Sequence, residues 1–297
     1  MSNKFQIYDA HHHLWDLNRC HYPWLEARGQ KRFFGDPSPI QQDYLDGDLF
    51  ADADSFEIVG STHVQVGVAE MATISETRFA QEVADRTGKL CSAIVAFADL
   101  TSNELDAQLE EHAQSENFRG VRQIVGRHPE EDAQTGSNQI LSNPQFGWGL
   151  SLLAAKGLRF DLQLIEQNYA EAAVLFSRIP DLKFAICHFG SPWDVSTEGF
   201  ARWRAAMARF AEVPGAHMKF SGFGMFKPDW SPEDIAPYVE TALELFGEVR
   251  CMVGSNFPVD KLYGGYDRIW NALLELVGSG STWSKLSREN AQRFYRV

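Results

Sequence analysis

The chain is short of positive charge. Its 297 residues carry 27 Lys and Arg against 40 Asp and Glu, a formal net charge of −13, with an isoelectric point near 5.1. Nucleic acids and anionic membranes attract basic surfaces, so no nucleic acid and no membrane is expected as a partner. Cysteine is scarce as well. Cys20, Cys91, Cys187 and Cys251 show no Cys-x-x-Cys spacing, and three of the four fall in apolar runs, the usual setting of buried free thiols. No disulfide is expected. Cys187 precedes His188, but neighbours on a strand face opposite ways, which argues against a Cys–His nucleophile pair there. Long apolar runs are missing too: none approaches the roughly 18 residues of a membrane span, and the first five residues hold no apolar leader, so a cytoplasmic protein is expected. No linker rich in Pro, Gly or Ser divides the chain, which points to one domain over residues 1–297.

What is present is the balance of a globular protein, 44% hydrophobic and 23% charged, long enough for a sizeable core. Strand-like runs at 5–9, 57–66, 90–98, 120–125, 158–164, 182–187, 216–221 and 250–255 alternate with stretches of helical period at 74–87, 103–116, 144–156, 170–177, 197–211, 232–246 and 266–277. Strand then helix, repeated, reads as a parallel sheet with right-handed crossovers. Eight units predict an α/β protein, a single (β/α)8 TIM barrel, with a doubly wound open sheet as the alternative. The connection 14–53 is long, aromatic and without clear helical period. Its aromatic content argues against disorder, so it is expected to form an ordered cap over the barrel mouth. Residues 283–296 read as a closing helix, with Ser284 or Ser287 as N-cap.

The first strand runs into Asp9-Ala10-His11-His12-His13-Leu14-Trp15. Alternation along a strand points His11 and His13 the same way, beside the Asp9 carboxylate, where they can hold a divalent cation or orient a substrate. A surface cluster or a tag remnant is the plainer reading, but three histidines set between apolar residues do not resemble a tag. Sites in such barrels form at the carboxyl ends of the strands. Those ends carry His11 and His13, Gln65, Asp99, Arg122 and Gln123 with Arg127 and His128 just beyond, Gln163 and Asn168, His188, Lys219 and Ser221, and Asn256 with Asp260 and Lys261. His188 precedes the turn Phe189-Gly190-Ser191-Pro192. Arg122 follows Gly120, whose missing side chain lets the strand approach its neighbours; a guanidinium there can clamp a carboxylate or lactone oxygen, or pair with a loop carboxylate. His63 and His217 read as structural, His21 and His112 as surface residues, and His128 stays open.

The Asp9–Trp15 stretch, Gly120-Val121-Arg122, Phe160-Asp161-Leu162, His188-Phe189-Gly190 and Gly254-Ser255-Asn256-Phe257-Pro258-Val259 occur in this order, and the chain closes on Asn290-Ala291-Gln292-Arg293-Phe294-Tyr295-Arg296. Over its whole length the sequence resembles the amidohydrolase-related (amidohydrolase type 2) family, on the lactonase-like branch of TIM-barrel metal-dependent hydrolases. That branch includes sugar-acid lactonases of the fucono- and rhamnono- kind and pyrone-dicarboxylate lactonases. The resemblance implies a barrel whose mouth hydrolyses C–O bonds of small lactones or esters. It implies that His11 and His13 bind a metal or the substrate, and it matches His188 and Arg122 to the family's histidine after the sixth strand and arginine after the fourth. Two departures stand out. Asn256 occupies the place where the family usually carries a proton-accepting aspartate, and Gln167-Asn168 stands where many relatives have a further histidine.

The expected activity is therefore hydrolysis of a small sugar-acid or dicarboxylate lactone, a small-molecule and anionic substrate. In one mechanism a divalent metal, Zn²⁺ first, is held by His11, His13 and His188 and activates water, with Asn256 orienting it. In the other, His188 is the general base, Arg122 stabilises the oxyanion and Asp260 is a reserve base. Trp15, Gln65, Gln163 and Lys261 are expected to contact the substrate. A metal-dependent decarboxylase of the same family and a barrel that binds ligand without catalysis, suggested by Asn256, remain as alternatives. A homo-oligomer is left open.

Overall fold

The computed structural model describes residues 4–297. Its eight strands are β1 (Phe5–His12), β2 (Phe56–Val64), β3 (Ala93–Ala96), β4 (Phe118–Val121), β5 (Arg159–Leu162), β6 (Lys183–Ile186), β7 (Ala216–Phe220) and β8 (Cys251–Val253). They lie side by side in sequence order, every pair parallel. Two backbone bonds carry the ladder round from the end of β8 to β1: Asn256 N–H donates to the His11 carbonyl and His13 N–H to the Phe257 carbonyl, each at 2.7 Å. The sheet thus closes into a (β/α)8 barrel, and the open-sheet alternative falls away. Strands buried along their whole length, such as β3, have the continuous apolar character of parallel strands covered on both faces.

The connecting helices follow the amphipathic stretches, among them Thr73–Thr87, Thr197–Ala211 and Pro232–Phe246. Ser196 caps the second by accepting the Gly199 N–H at 3.1 Å, and Ser231 and Asp234 form a capping box on the third, each satisfying N–H groups that have no partner within the helix. Their apolar faces form a shell core with outward strand residues such as Ile7, Ile94, Phe160 and Phe184. A smaller cluster fills the barrel itself: Tyr8, Ala10, Val64, Val95, Ala185 and Met252, joined by Ala291, Phe294 and Tyr295. One expectation is corrected here. His112 is fully buried, because its ring bridges the Thr77 hydroxyl at 2.8 Å and the Phe97 carbonyl at 3.0 Å.

The closing segment plugs the amino-terminal end of the barrel. Arg159 at the start of β5 donates to the Phe294 carbonyl at 2.6 Å, and the Asn290 amide donates to the Cys251 carbonyl at the start of β8. It comprises helical Ser281–Ser284, a wider π turn at Lys285–Glu289 and helical Asn290–Tyr295. Ser284 and Ser287 therefore lie inside it, and the N-cap position falls to Gly280.

The segment 14–53 is an ordered cap at the opposite end, and it contains a helix, Asp46–Asp52, that its sequence did not announce. Its ties reach several strand-end loops. Trp24 donates to the Val66 carbonyl at 2.7 Å, Arg32 forms a fork with Glu131 at 2.9 and 3.2 Å, and Phe33 packs on Trp193 at 5.8 Å between ring centroids. No helix among the described residues is long and apolar enough to cross a membrane.

Candidate active site

The cap and the carboxyl ends of the strands enclose a pocket of about 500 Å³, a size that suits a small molecule. His13, Trp15, Gln65, Arg122, Gln163, His188 and Asn256 line it, as does Met225 from the loop after β7. Among the described residues no carboxylate lines this pocket, whereas Arg32, Arg122 and Arg127 do. On a chain of net charge −13 that contrast biases the pocket wall toward positive charge.

His11, His13 and His188 meet here through a defect in β1. The pairing runs Asp9 with Ser61 and then His12 with His63, so β1 advances three residues while β2 advances two. This bulge inserts a residue and reverses the alternation. Strict alternation would set Asp9 beside His11 and His13; instead its carboxylate turns away. It accepts the Ser255 N–H at 2.9 Å, the Ser255 hydroxyl at 2.6 Å, the Tyr266 hydroxyl at 2.9 Å and the His11 N–H at 3.1 Å. With four donors on it, Asp9 is a structural clamp between β1 and β8. The His11 ring lies 5.1 Å from that of His13 and 4.6 Å from that of His188. His12 points the other way and meets the Ser61 hydroxyl at 2.8 Å.

Each ring is fixed differently. His13 Nδ1 donates to the Val64 carbonyl at 2.7 Å, which leaves Nε2 with its lone pair. His188 Nδ1 meets the Ser221 hydroxyl at 3.0 Å. Both nitrogens of His11 are buried without a partner, an expensive arrangement unless a ligand completes it. Burial holds all three imidazoles well below their ordinary value; the Lys219 ammonium adds to this at His11 and the Arg122 guanidinium at His13 and His188. They are neutral at neutral pH. His188 and Asn256 also have positive φ, 55° and 56°, a region that non-glycine residues occupy at a cost and that concentrates at functional sites.

Arg122 is held by the two glutamines. Its Nη1 donates to Gln163 Oε1 at 3.1 Å, its Nη2 to the Gln65 carbonyl, and its Nε is buried without a partner. A loop carboxylate is not what holds it. A Cβ on Gly120 would lie 2.5 Å from the Arg159 carbonyl oxygen, the close approach that brings β4 against β5. Asn256, which lines the pocket, donates from Nδ2 to Asp260 Oδ1 at 2.8 Å. Asp260, whose carboxyl burial pushes up to about 7, lines a separate small cavity with Trp230 and Tyr266; it reaches the mouth only through Asn256. Lys261 is a correction. It pairs with Asp52 of the cap at 2.7 Å and lies over the Tyr44 ring, tying the cap down outside the pocket. Trp15 lines the pocket with its indole N–H given to the Gln42 carbonyl at 2.6 Å.

Arg127, which the sequence places among the strand-end polar residues without a role, proves to stand on the pocket wall. Its Nε is buried without a partner on the pocket wall, and its position just beyond β4 was the one available signal. His128 caps the helix Pro129–Thr135, His63 accepts the Leu14 N–H, and His217 packs on Phe294. Asp99 binds Thr101 and Gln123. Burial, followed by the Asp161 carboxylate, pushes the Cys187 thiol up to about 12, the opposite of the lowered value a nucleophilic thiol needs.

The mouth imidazoles are donors of the kind a divalent ion takes, although among the described residues the trio whose ligand atoms all lie within 4.8 Å of one another is the deeper one of His11, Asp161 and Cys187. Rings tied through Nδ1 and presenting Nε2, as His13 does, are the usual form of imidazole ligands, and the two unpartnered nitrogens of His11 supply a further donor.

A closed parallel barrel gathers imidazoles and an arginine under a cap, and the family match with lactonase-named relatives makes it a hydrolase. The chain belongs to the amidohydrolase family, whose sequence profile, described as Amidohydrolase, matches residues 8–297. It is similar to an uncharacterised protein of Sinorhizobium fredii, 40% identical with 98% of each chain covered. It is also similar to an L-fucono-1,5-lactonase of Burkholderia ambifaria, 28% identical over 97% of this chain and 95% of that one. A crystal structure of a Burkholderia multivorans amidohydrolase with bound zinc superposes with a TM-score of 0.81 at 24% identity, covering 98% and 99% of the two chains.

Proposed function

We propose that this protein opens a small lactone by hydrolysis and that the substrate carries a negative charge. The convergence of His13 and His188 beside Arg122 on one pocket, with the His11 ring 5.1 and 4.6 Å from theirs, carries this reading; the lactonase relatives support its reaction class. The lactone carbonyl oxygen faces the Arg122 guanidinium, whose unpartnered Nε donates as negative charge develops there. Neutral His188 takes the proton from the attacking water at Nε2. An imidazolium at this position is disfavoured in the resting site by burial and by Arg122. It forms only as the oxyanion forms beside it, so the interaction strengthens in the transition state. The Asn256 amide oxygen accepts a hydrogen bond from the water and orients it, with Asp260 holding the amide. Met225 and the cap aromatics Trp24, Phe33 and Phe34 limit access of other water.

A zinc-type ion held by His11, His13 and His188 would instead supply a bound water of lowered pKa, with His188 Nε2 then a ligand and not the base. The anionic part of the substrate is assigned to Arg127, whose buried Nε lacks a partner and calls for an acceptor. The test is ring opening of a panel of sugar-acid and dicarboxylate lactones, with and without chelator. Hydrolysis concentrated on acidic lactones is expected. No ring opening anywhere in the panel, or carbon dioxide release from the matching carboxylic acids, would overturn the reading.

A further inference from the structure

Beneath the three imidazoles, His11, Asp161 and Cys187 form a buried trio of cation-ligand type, their ligand atoms all within 4.8 Å of one another. An ammonium already stands against it. Lys219 Nζ donates to Asp161 Oδ2 at 2.5 Å and to the Ala10 carbonyl at 2.8 Å, with neither side chain of the pair exposed. The other carboxylate oxygen is taken as well, by the Tyr295 hydroxyl at 2.8 Å, and the Tyr295 ring faces Nζ at 5.2 Å. Lys219 comes from β7, Asp161 from β5, Ala10 from β1 and Tyr295 from the closing segment, so the charge is pinned across the barrel interior by four elements.

A divalent ion entering the trio would have to share a carboxylate with a unit positive charge where little solvent screens the repulsion. A buried pair held by the Ala10 carbonyl on one side and the Tyr295 hydroxyl on the other does not give up one partner readily. We propose that Lys219 is the resident cation of this lower cluster and bars a divalent ion from the His11–Asp161–Cys187 trio, confining any such ion to the mouth side of the imidazoles. Lys219 is thereby a positioning residue: it touches no substrate, and it decides which face of His11 is open to a cation.

Thiolate ligation separates the two locations, because Cys187 belongs only to the lower trio. Chelator-treated full-length protein is titrated with cobalt(II), and the near-ultraviolet charge-transfer band of a cobalt–thiolate bond is recorded together with bound metal per chain. The wild type is expected to show no thiolate band, whether or not it binds cobalt. Lys219→Met is expected to gain the band at one ion per chain, and Lys219→Met with Cys187→Ala to lose it again. Lys219→Gln, which keeps a donor toward Asp161 and Ala10 without the charge, serves in place of the Met variant should that fail to fold. A thiolate band in the wild type, or folded Lys219 variants that bind no cobalt through sulfur, would overturn the proposal.

Discussion

Arg127→Met removes the guanidinium while keeping most of the apolar stem. A substrate carboxylate about 4 Å from the guanidinium, at an effective dielectric of about 20, would gain about 4 kcal/mol. Stripping water from both groups and solvent reaching the pocket reduce this to about 2 kcal/mol, or roughly 30-fold in kcat/KM. The loss should fall on acidic lactones alone, with neutral lactones of equal ring size changing by less than about 3-fold, because Arg127 touches the charge and not the reacting carbonyl. Stability should move the other way. Arg127 Nε has no partner in the protein, so the variant discards an unsatisfied buried donor and Tm should hold or rise. The assay is kcat/KM for paired acidic and neutral lactones, with thermal unfolding alongside. Equal losses on both substrates, or none on the acidic one, would refute Arg127 as the anion anchor.

His188→Ala should lower kcat by about 10²- to 10⁴-fold with an unchanged circular dichroism spectrum; wild-type turnover would remove His188 from the reaction. Asn256→Asp sets a second carboxylate against Asp260, 2.8 Å from the present amide nitrogen, so the two must share a proton near neutral pH. Metal retained after gel filtration should rise, and unchanged content would show that position 256 does not face a cation. Burial lowers the imidazoles of His112 and His217 to about 4, so below pH about 6.5 the unfolded chain binds protons that the native protein refuses. Their contribution is intact above that pH and is lost as pH falls toward 4, at about 1.4 kcal/mol per unit per histidine. Urea midpoints should decline across this window, and a flat profile would contradict neutral buried rings.

The strands and the helices between them were legible because burial imposes short periods, which alternating strand and helix segments write directly into the residue order. The cap was legible from its length and aromatic content, and His188 from its place at a strand end before a turn. His112 was not, since it sits among charged neighbours along the chain and meets Thr77 and Phe97 only when the helices dock.

At the site the division is sharper. The sequence by itself determined a barrel and named the imidazoles and the arginine that the fold gathers at one end. Tertiary structure alone decided that Asp9 turns away from them, because an inserted residue in β1 reverses facing and no composition signals it. It also decided that Lys261 holds the cap through Asp52, that Arg127 Nε is left without a partner on the pocket wall, and that Lys219 lies against Asp161 inside the barrel. Local periodicity fixes which face a side chain takes. The charge it finally meets depends on residues far away in the chain, and only the closed barrel brings those together.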